Sequence, residues 1–310
     1  MEEDELEPAI LFADALIAYQ QGDALSALLD ARAAAEAGDA RAQVLAGHIL
    51  MRGEAGQTND PDAVRFFKLA AAQDDLDAML ALGQMGVEGR GGLTRADAIT
   101  YYRRAADLGD TQAMRALSTL SLDSSGSVAT QWEQRAAASG DLEAMRRRAA
   151  SLMDTDPQAA LVQLEAAAAK GDAESAHAAA LLLAESPDIR PDEAKAARLM
   201  RQAADAGLPA AMAGYGLLVY QGAGTARDID SAAQWFRRAA EAGDPEGGFL
   251  WAFTLSKGEG VPQDFEEAYY WLLKTDSPEN YDTTRQQLRE RLEANVDGAI
   301  LARARQRAGL

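Results

Sequence analysis

The chain contains no cysteine, only two histidines and only nine prolines among 310 residues. Without cysteine it can form no disulfide bond, no thiolate metal site and no cysteine nucleophile. No apolar run reaches the roughly 18 residues that a membrane-spanning helix needs, so we expect no direct membrane insertion. Aromatic residues make up only 6% of the chain, and this composition, rich in alanine, favours helices packed closely through small side chains.

Basic side chains are also scarce relative to acidic ones, and the net charge at pH 7 is −19. Nucleic-acid binding needs clustered Lys and Arg to neutralise phosphates, so the composition argues against a nucleic-acid partner. An acidic surface still permits a neutral or basic protein partner.

Motifs that carry catalysis or bind cofactors are missing as well. The two histidines, His48 and His177, are far apart in the sequence, and no His/carboxylate cluster has metal-binding spacing. No Gly-x-Ser-x-Gly elbow marks a nucleophile. The glycine-rich run 86–92 follows a predicted helix and lacks the Gly-Lys-Ser/Thr of a phosphate loop. We therefore expect a non-enzymatic protein without metal or small-molecule cofactor.

What the chain has is a recurring motif: Ala-Ala, two further residues, then Gly-Asp, clearest at the end of Trp235–Asp244. The glycine position of this motif falls at residues 38, 74, 109, 140, 171, 207 and 243, with spacings of 31 to 36 residues. A repeat of this length predicts a stack of two-helix units.

The unit that begins at Asp244 shows how each repeat is built. Asp244 and Pro245 are typical of the N-cap and first position of a helix, which we predict over about 246–256. Gly258 and Gly260 allow a tight reversal, and Asp264 opens the second helix. We expect the small residues of the first helices to let the helices approach closely, and large residues of the second helices to fill the gap between units. These large residues are Phe66, Tyr101, Trp132, Trp235 and Trp271.

The pattern Ala-x3-Leu-Gly, Gly-x-Gly, Ala-x2-Trp and Ala-Ala-x2-Gly resembles the Sel1-like repeat, a relative of the tetratricopeptide repeat. The resemblance covers roughly residues 12–275 and is specific in the units that start near residues 42, 78, 211 and 247. It is weaker between about 112 and 200, where two 31-residue units carry Ser124-Ser125-Gly126 and Asp154-Thr155-Asp156-Pro157 instead of Gly-x-Gly. The resemblance implies an all-α fold, a right-handed α-solenoid of stacked helical hairpins, with altered curvature across the two short units.

The period also suggests how the chain is divided. We predict an array of about eight repeats over residues 1–279, whose first pair, about 11–38, is an N-terminal cap. The period stops from Asn280 onward, and we predict two capping helices at Asp282–Glu293 and Asp297–Ala308, because the last apolar face of a solenoid must be covered.

By the same resemblance, first helices line a concave groove that binds a protein or peptide. The residues expected to face it are His48, Met51, Gln84, Val87, Arg115, Thr119, Arg146, His177, Tyr220, Phe249 and Phe253.

Three features of this groove have two interpretations each. Arg115 and Arg146 could hold a partner's carboxylate or neutralise acids on adjacent helices. Tyr220 and the two phenylalanines could anchor a peptide or pack against the C-terminal cap. The two histidines could sense pH or be ordinary wall residues.

The resemblance implies an interaction scaffold or adaptor in a bacterium, in envelope assembly or in signalling regulation. Two alternatives are a hydrolase, because cysteine-rich relatives have been linked to β-lactam binding, and a passive structural spacer. The acidic N-terminal segment is unlike a signal peptide. We expect a periplasmic location if a leader has been removed, and a cytoplasmic one otherwise.

Overall fold

A computed structural model describes residues 2–122, 126–275 and 282–310, and these residues form helices without any strand. Most consecutive helices of the described residues pack against each other in pairs, so the predicted all-α class and the stacked hairpins are confirmed. None of the described helices is long and apolar enough to cross a lipid bilayer. The described residues divide into two compact units, residues 1–144 and 145–310.

The first unit contains three complete repeats after an N-terminal hairpin. Its helices are α1 Glu2–Gln20, α2 Ala24–Glu36, α3 Ala40–Arg52, α4 Asp60–Ala71, α5 Leu76–Glu88, α6 Arg95–Asp107, α7 Thr111–Ser121 and α8 Gly126–Ala138. A short 3-10 turn, Arg90–Gly92, precedes α6. The predicted loop at Ser124 and Ser125 lies outside the described residues.

The boundary between the units falls within α9, Leu142–Leu152. The later helices are α10 Pro157–Ala169, α11 Ala173–Glu185, α12 Glu193–Asp205, α13 Pro209–Gln221, α14 Ile229–Glu241, α15 Pro245–Lys257, α16 Phe265–Lys274, α17 Asp282–Asn295 and α18 Gly298–Ala308. The last two occupy the segment in which two capping helices were predicted, and their Leu288, Leu292 and Leu301 join an apolar core with residues of α10 to α16.

The Gly-Asp marker is a junction between two repeats. Gly243 adopts a φ of 87°, which ends α14 in a left-handed conformation that glycine tolerates best. The Asp244 side chain then caps α15 by accepting the backbone N–H of Gly247 at 2.6 Å. In one relaxed copy Asp74 takes the positive φ, 62°, in place of glycine. In the other, Leu208 stands at the cap position and makes no side-chain bond.

The core is built mainly from alanine, as the composition suggested. Ala42, Ala78, Ala113 and Ala211 on the first helices are completely buried. The large residues are only partly as predicted: Phe66 and Trp271 are buried, whereas Tyr101, Trp132 and Trp235 are half-buried.

A different ring packs against the glycine of the first helix in three of the hairpins. Phe67, Tyr102 and Phe236 lie against the glycines of their own hairpins, Gly47, Gly83 and Gly216. Each of these rings directly follows one of the large residues that were predicted to fill the gap between successive units.

Candidate functional site

Three of the predicted groove residues open into one cavity of the first unit. His48 and Met51 come from α3 and Gln84 comes from α5, and together they line a cavity of about 400 Å³. Leu80 and Ala81 form its apolar part. Side chains from the first helices of neighbouring repeats therefore share one cavity.

Four more residues line the same cavity and were missed by the sequence reasoning: Arg52, Asp77, Tyr102 and Gln112. Asp77 and Gln112 each follow a cap aspartate by two residues, so an alignment of repeats would have revealed that they are equivalent. Tyr102 could have been found only from the packing of its ring against Gly83.

His48 is half-buried in the cavity wall, and its ring meets Phe67 edge-to-face with centroids 5.1 Å apart. Burial lowers the pKa of His48 below its ordinary value, and the charge of Arg52 lowers it further. The imidazole is therefore neutral at pH 7. Its Nδ1 atom is buried and has no hydrogen-bond partner among the described residues.

Tyr102 lies beneath this site and is 8% exposed. Burial raises the pKa of Tyr102, and the carboxylate of Glu88 raises it further. The hydroxyl thus remains protonated at neutral pH and can both donate and accept a hydrogen bond.

Arg115 and Arg146 occupy the same position in consecutive first helices, and each contacts the start of the next first helix. Arg115 forms ion pairs with Asp141, at 3.3 Å, and with Glu143. In the second unit, Arg146 pairs with Asp172 at 2.7 Å and with Glu174 at 3.2 Å.

The two aspartates have a second task in these contacts, because their side chains also cap the helices that they begin. Asp141 accepts the N–H of Ala144, and Asp172 accepts that of Ser175. This geometry favours the interpretation that the arginines neutralise acids on adjacent helices. Thr119, near Arg115 on α7, is exposed and donates its hydroxyl proton to the Arg115 carbonyl at 3.1 Å.

In the second unit the predicted aromatic anchors differ in accessibility. Phe249 is only 2% exposed and belongs to the same core as Leu288 and Leu292, so its side chain is not available to line a groove. Phe253 is half-buried, with Lys257 Nζ 5.6 Å from its ring centre. Tyr220 is half-buried and donates its hydroxyl proton to Glu259 at 2.6 Å.

His177 is half-buried on α11, and burial lowers its pKa. Beside this helix the second unit has an apolar cavity of about 310 Å³, lined by Met153, Ala178, Leu181, Leu182, Glu185 and Ser186. Across the described ranges of the chain, no group of three or more His, Asp or Glu side chains is arranged to hold a metal ion.

Hairpins stacked through alanine and glycine, with their first helices lining a concave site, define a helical-repeat protein. A family model described as the Sel1 repeat matches residues 40–75, 76–110, 173–208, 209–244 and 249–275. The matches cover more than half of the chain, and the protein belongs to the Sel1 repeat family. The unmatched stretch, 111–172, contains the two short repeats, whereas 173–208 matches although the sequence resemblance there was weak. Sel1 repeats are common in protein-interaction scaffolds.

A solved structure with the same repeat supports the fold. A Sel1 repeat protein from Oxalobacter formigenes is 22% identical, with a TM-score of 0.59 over 94% of this chain and 88% of that one. A protective antigen of uropathogenic Escherichia coli strains, which displays the same type of fold, is 20% identical over 96% of this chain and 82% of its own, with a TM-score of 0.42. No curated protein sequence matches the chain.

Proposed function

We propose that the protein is a non-enzymatic interaction scaffold that binds a peptide segment or partner domain on the exposed faces of its first helices. The observation that carries this proposal is the shared cavity of His48, Met51 and Gln84, which unites side chains from two repeats. A surface built from successive repeats suits a partner that extends along them.

Exposed apolar side chains on or just after the first helices support this proposal. Val87 and Leu122 in the first unit are 50% and 64% exposed, and Met153 and Leu181 in the second are 36% and 37% exposed. Met153 and Leu181 line one apolar cavity, and grouped exposed apolar side chains are typical of interaction sites. Removing them from water would contribute to affinity.

Site-specific photo-crosslinking tests the proposal in cells. A photoreactive phenylalanine analogue would replace Gln84 or Leu181 on the first helices, and the matched control would replace Thr100, an exposed residue of a second helix. We expect a discrete crosslinked partner from the first two positions and none from the control. Equal crosslinking at all three positions, or none at any, would contradict the proposal.

We further propose that the protein acts in the bacterial periplasm, in envelope assembly or in the regulation of a signalling receptor. The use of arginine far more often than lysine supports a high-GC bacterial source, and bacterial relatives are often exported. The test is fractionation of cells that express the gene from its own start. Recovery of the protein after osmotic shock supports a periplasmic site, and retention with cytoplasmic markers contradicts it.

A further inference from the structure

The cavity of the first unit has one carboxylate whose negative charge is not compensated by a Lys or Arg side chain. Asp77 is exposed at its edge and forms no ion pair with Lys or Arg within residues 2–122 and 126–144. Arg52 also lines the cavity, but its guanidinium contacts Glu54 at 3.5 Å, which compensates its charge. An incoming cation therefore meets one free carboxylate at the edge of this cavity.

Gln84 adds an acceptor whose orientation is fixed. Its amide nitrogen donates to Glu88 Oε1 at 2.9 Å, which leaves the amide oxygen free to accept. Gln112 and Tyr102 line the same cavity, and the side chain of each has an oxygen that can accept a hydrogen bond. His48 is neutral at pH 7 and does not repel a cation.

We propose that this cavity binds the guanidinium group of an arginine side chain from a basic segment of the partner. This proposal rests on the proposed scaffold function. A guanidinium carries five N–H donors in a planar fork and no acceptor. It suits a cavity lined by a carboxylate residue, two amide residues and a tyrosine, since each of these side chains has an oxygen that can accept a hydrogen bond. A lysine ammonium supplies only three N–H donors, all on one nitrogen atom. It therefore satisfies fewer of the acceptors in the cavity.

The charge of the surrounding unit favours the same occupant. Residues 1–144 contain 24 acidic and 11 basic side chains, whereas residues 145–310 contain 25 and 19. The net charge is therefore 11 − 24 = −13 for the first unit and 19 − 25 = −6 for the second. A basic segment is attracted to this unit before it makes any contact.

The test measures binding of three small probes to the whole protein by nuclear magnetic resonance. The probes are the N-acetyl N-methylamides of arginine, lysine and glutamate, and the readout is the imidazole signals of His48, assigned with a His48→Gln variant. We expect saturable shifts with the arginine probe, weaker binding of the lysine probe and no binding of the glutamate probe. Binding of lysine as tight as that of arginine, or any saturable binding of glutamate, would overturn the proposal.

Two exposed residues of the cavity give variants that should fold normally. Asp77→Asn removes the carboxylate, and we expect it to weaken arginine binding about tenfold, as the loss of one charge-assisted hydrogen bond does. Gln84→Leu removes the fixed acceptor and should weaken binding severalfold. Asp14→Asn, an equal charge change on α1 outside the cavity, is the control. Unchanged affinity in Asp77→Asn would overturn the proposal.

Crosslinking separates this proposal from the scaffold function on which it rests. If the protein with the photoreactive group at Leu181 captures a partner and Asp77→Asn leaves that capture intact, the arginine site is wrong and the scaffold function stands. If neither position captures a partner, the scaffold function itself fails.

Discussion

The ring of Tyr102 lies directly against the backbone of Gly83, so close that a Cβ atom at Gly83 would be 2.5 Å from the ring carbons Cε1 and Cζ. This contact joins α5 to α6 and also supports the floor of the candidate site. The equivalent glycines, Gly47 and Gly216, meet Phe67 and Phe236 in the same way. The same steric reason therefore explains why glycine occupies this position in all three hairpins.

Gly83→Ala should destabilise the protein, because the added methyl group must displace a buried ring. We expect a loss of about 1–3 kcal/mol in the free energy of unfolding, as for other overpacked cores, measured by urea denaturation. Gly298→Ala is the control, because a Cβ there meets nothing within 4 Å and its φ is not positive. The control should be neutral or slightly stabilising. A Gly83→Ala protein as stable as the wild type would contradict the steric explanation.

Charge reversal at Arg146 should cost stability without requiring any partner. Arg146→Glu would bring a third carboxylate beside Asp172 and Glu174, whereas Arg146→Ala only removes a partly exposed pair, at a cost of about 0.2–1 kcal/mol. We expect Arg146→Glu to lower the melting temperature more than Arg146→Ala, and added salt to reduce the difference. Arg201→Glu, which reverses a charge paired only within its own helix, with Asp205, is the comparison and should have a smaller effect. Equal melting temperatures for all variants would show that the bridge contributes nothing.

Helix positions followed from the sequence because helix ends are determined locally. The prediction of a first helix over about 246–256 agrees with Pro245–Lys257, since a cap aspartate, a following proline and a terminal glycine lie within a few residues of each other. The two C-terminal helices were predicted for another reason, because the last apolar face of a repeat array must be covered. The start of α1 was not predicted correctly. This helix begins at Glu2 rather than near Leu11, and no cap residue marks its start.

The chemistry of each site position could not be read from the repeat in the same way. Arg115 and Phe249 both follow a cap aspartate by five residues, yet Arg115 forms ion pairs and Phe249 is buried in the apolar core of the second unit. The difference comes from what packs around each position, which the repeat itself does not specify. The cavity of His48 and Gln84 likewise depends on how far apart α3 and α5 lie, a distance that no motif encodes.

Burial of the two histidines predicts that stability falls as the solution becomes mildly acidic. Burial lowers the pKa values of His48 and His177 below the ordinary 6.5, so the unfolded chain takes up protons at a higher pH than the folded chain. Their contribution to stability is complete above about pH 6.5 and is lost as pH falls towards the lowered values. Between about pH 7.5 and 5.5, the melting temperature of the wild type should fall more than that of the double variant His48→Gln, His177→Gln. Parallel profiles would contradict this expectation.

Alanine variants of Phe249 and Phe253 should distinguish a role in core packing from a role in partner binding. Phe249→Ala removes a side chain that is 2% exposed, so we expect a loss of about 3–5 kcal/mol in the free energy of unfolding, with little specific effect on binding beyond the loss of folded protein. Phe253→Ala removes a half-buried ring and should cost less stability. If this ring contacts the partner, that variant will weaken crosslinking at Leu181 while the protein remains folded. For both variants we would measure stability by urea denaturation and the crosslinking yield per folded molecule. A larger loss of stability in Phe253→Ala than in Phe249→Ala would show that the core role and the binding role have been assigned to the wrong residues.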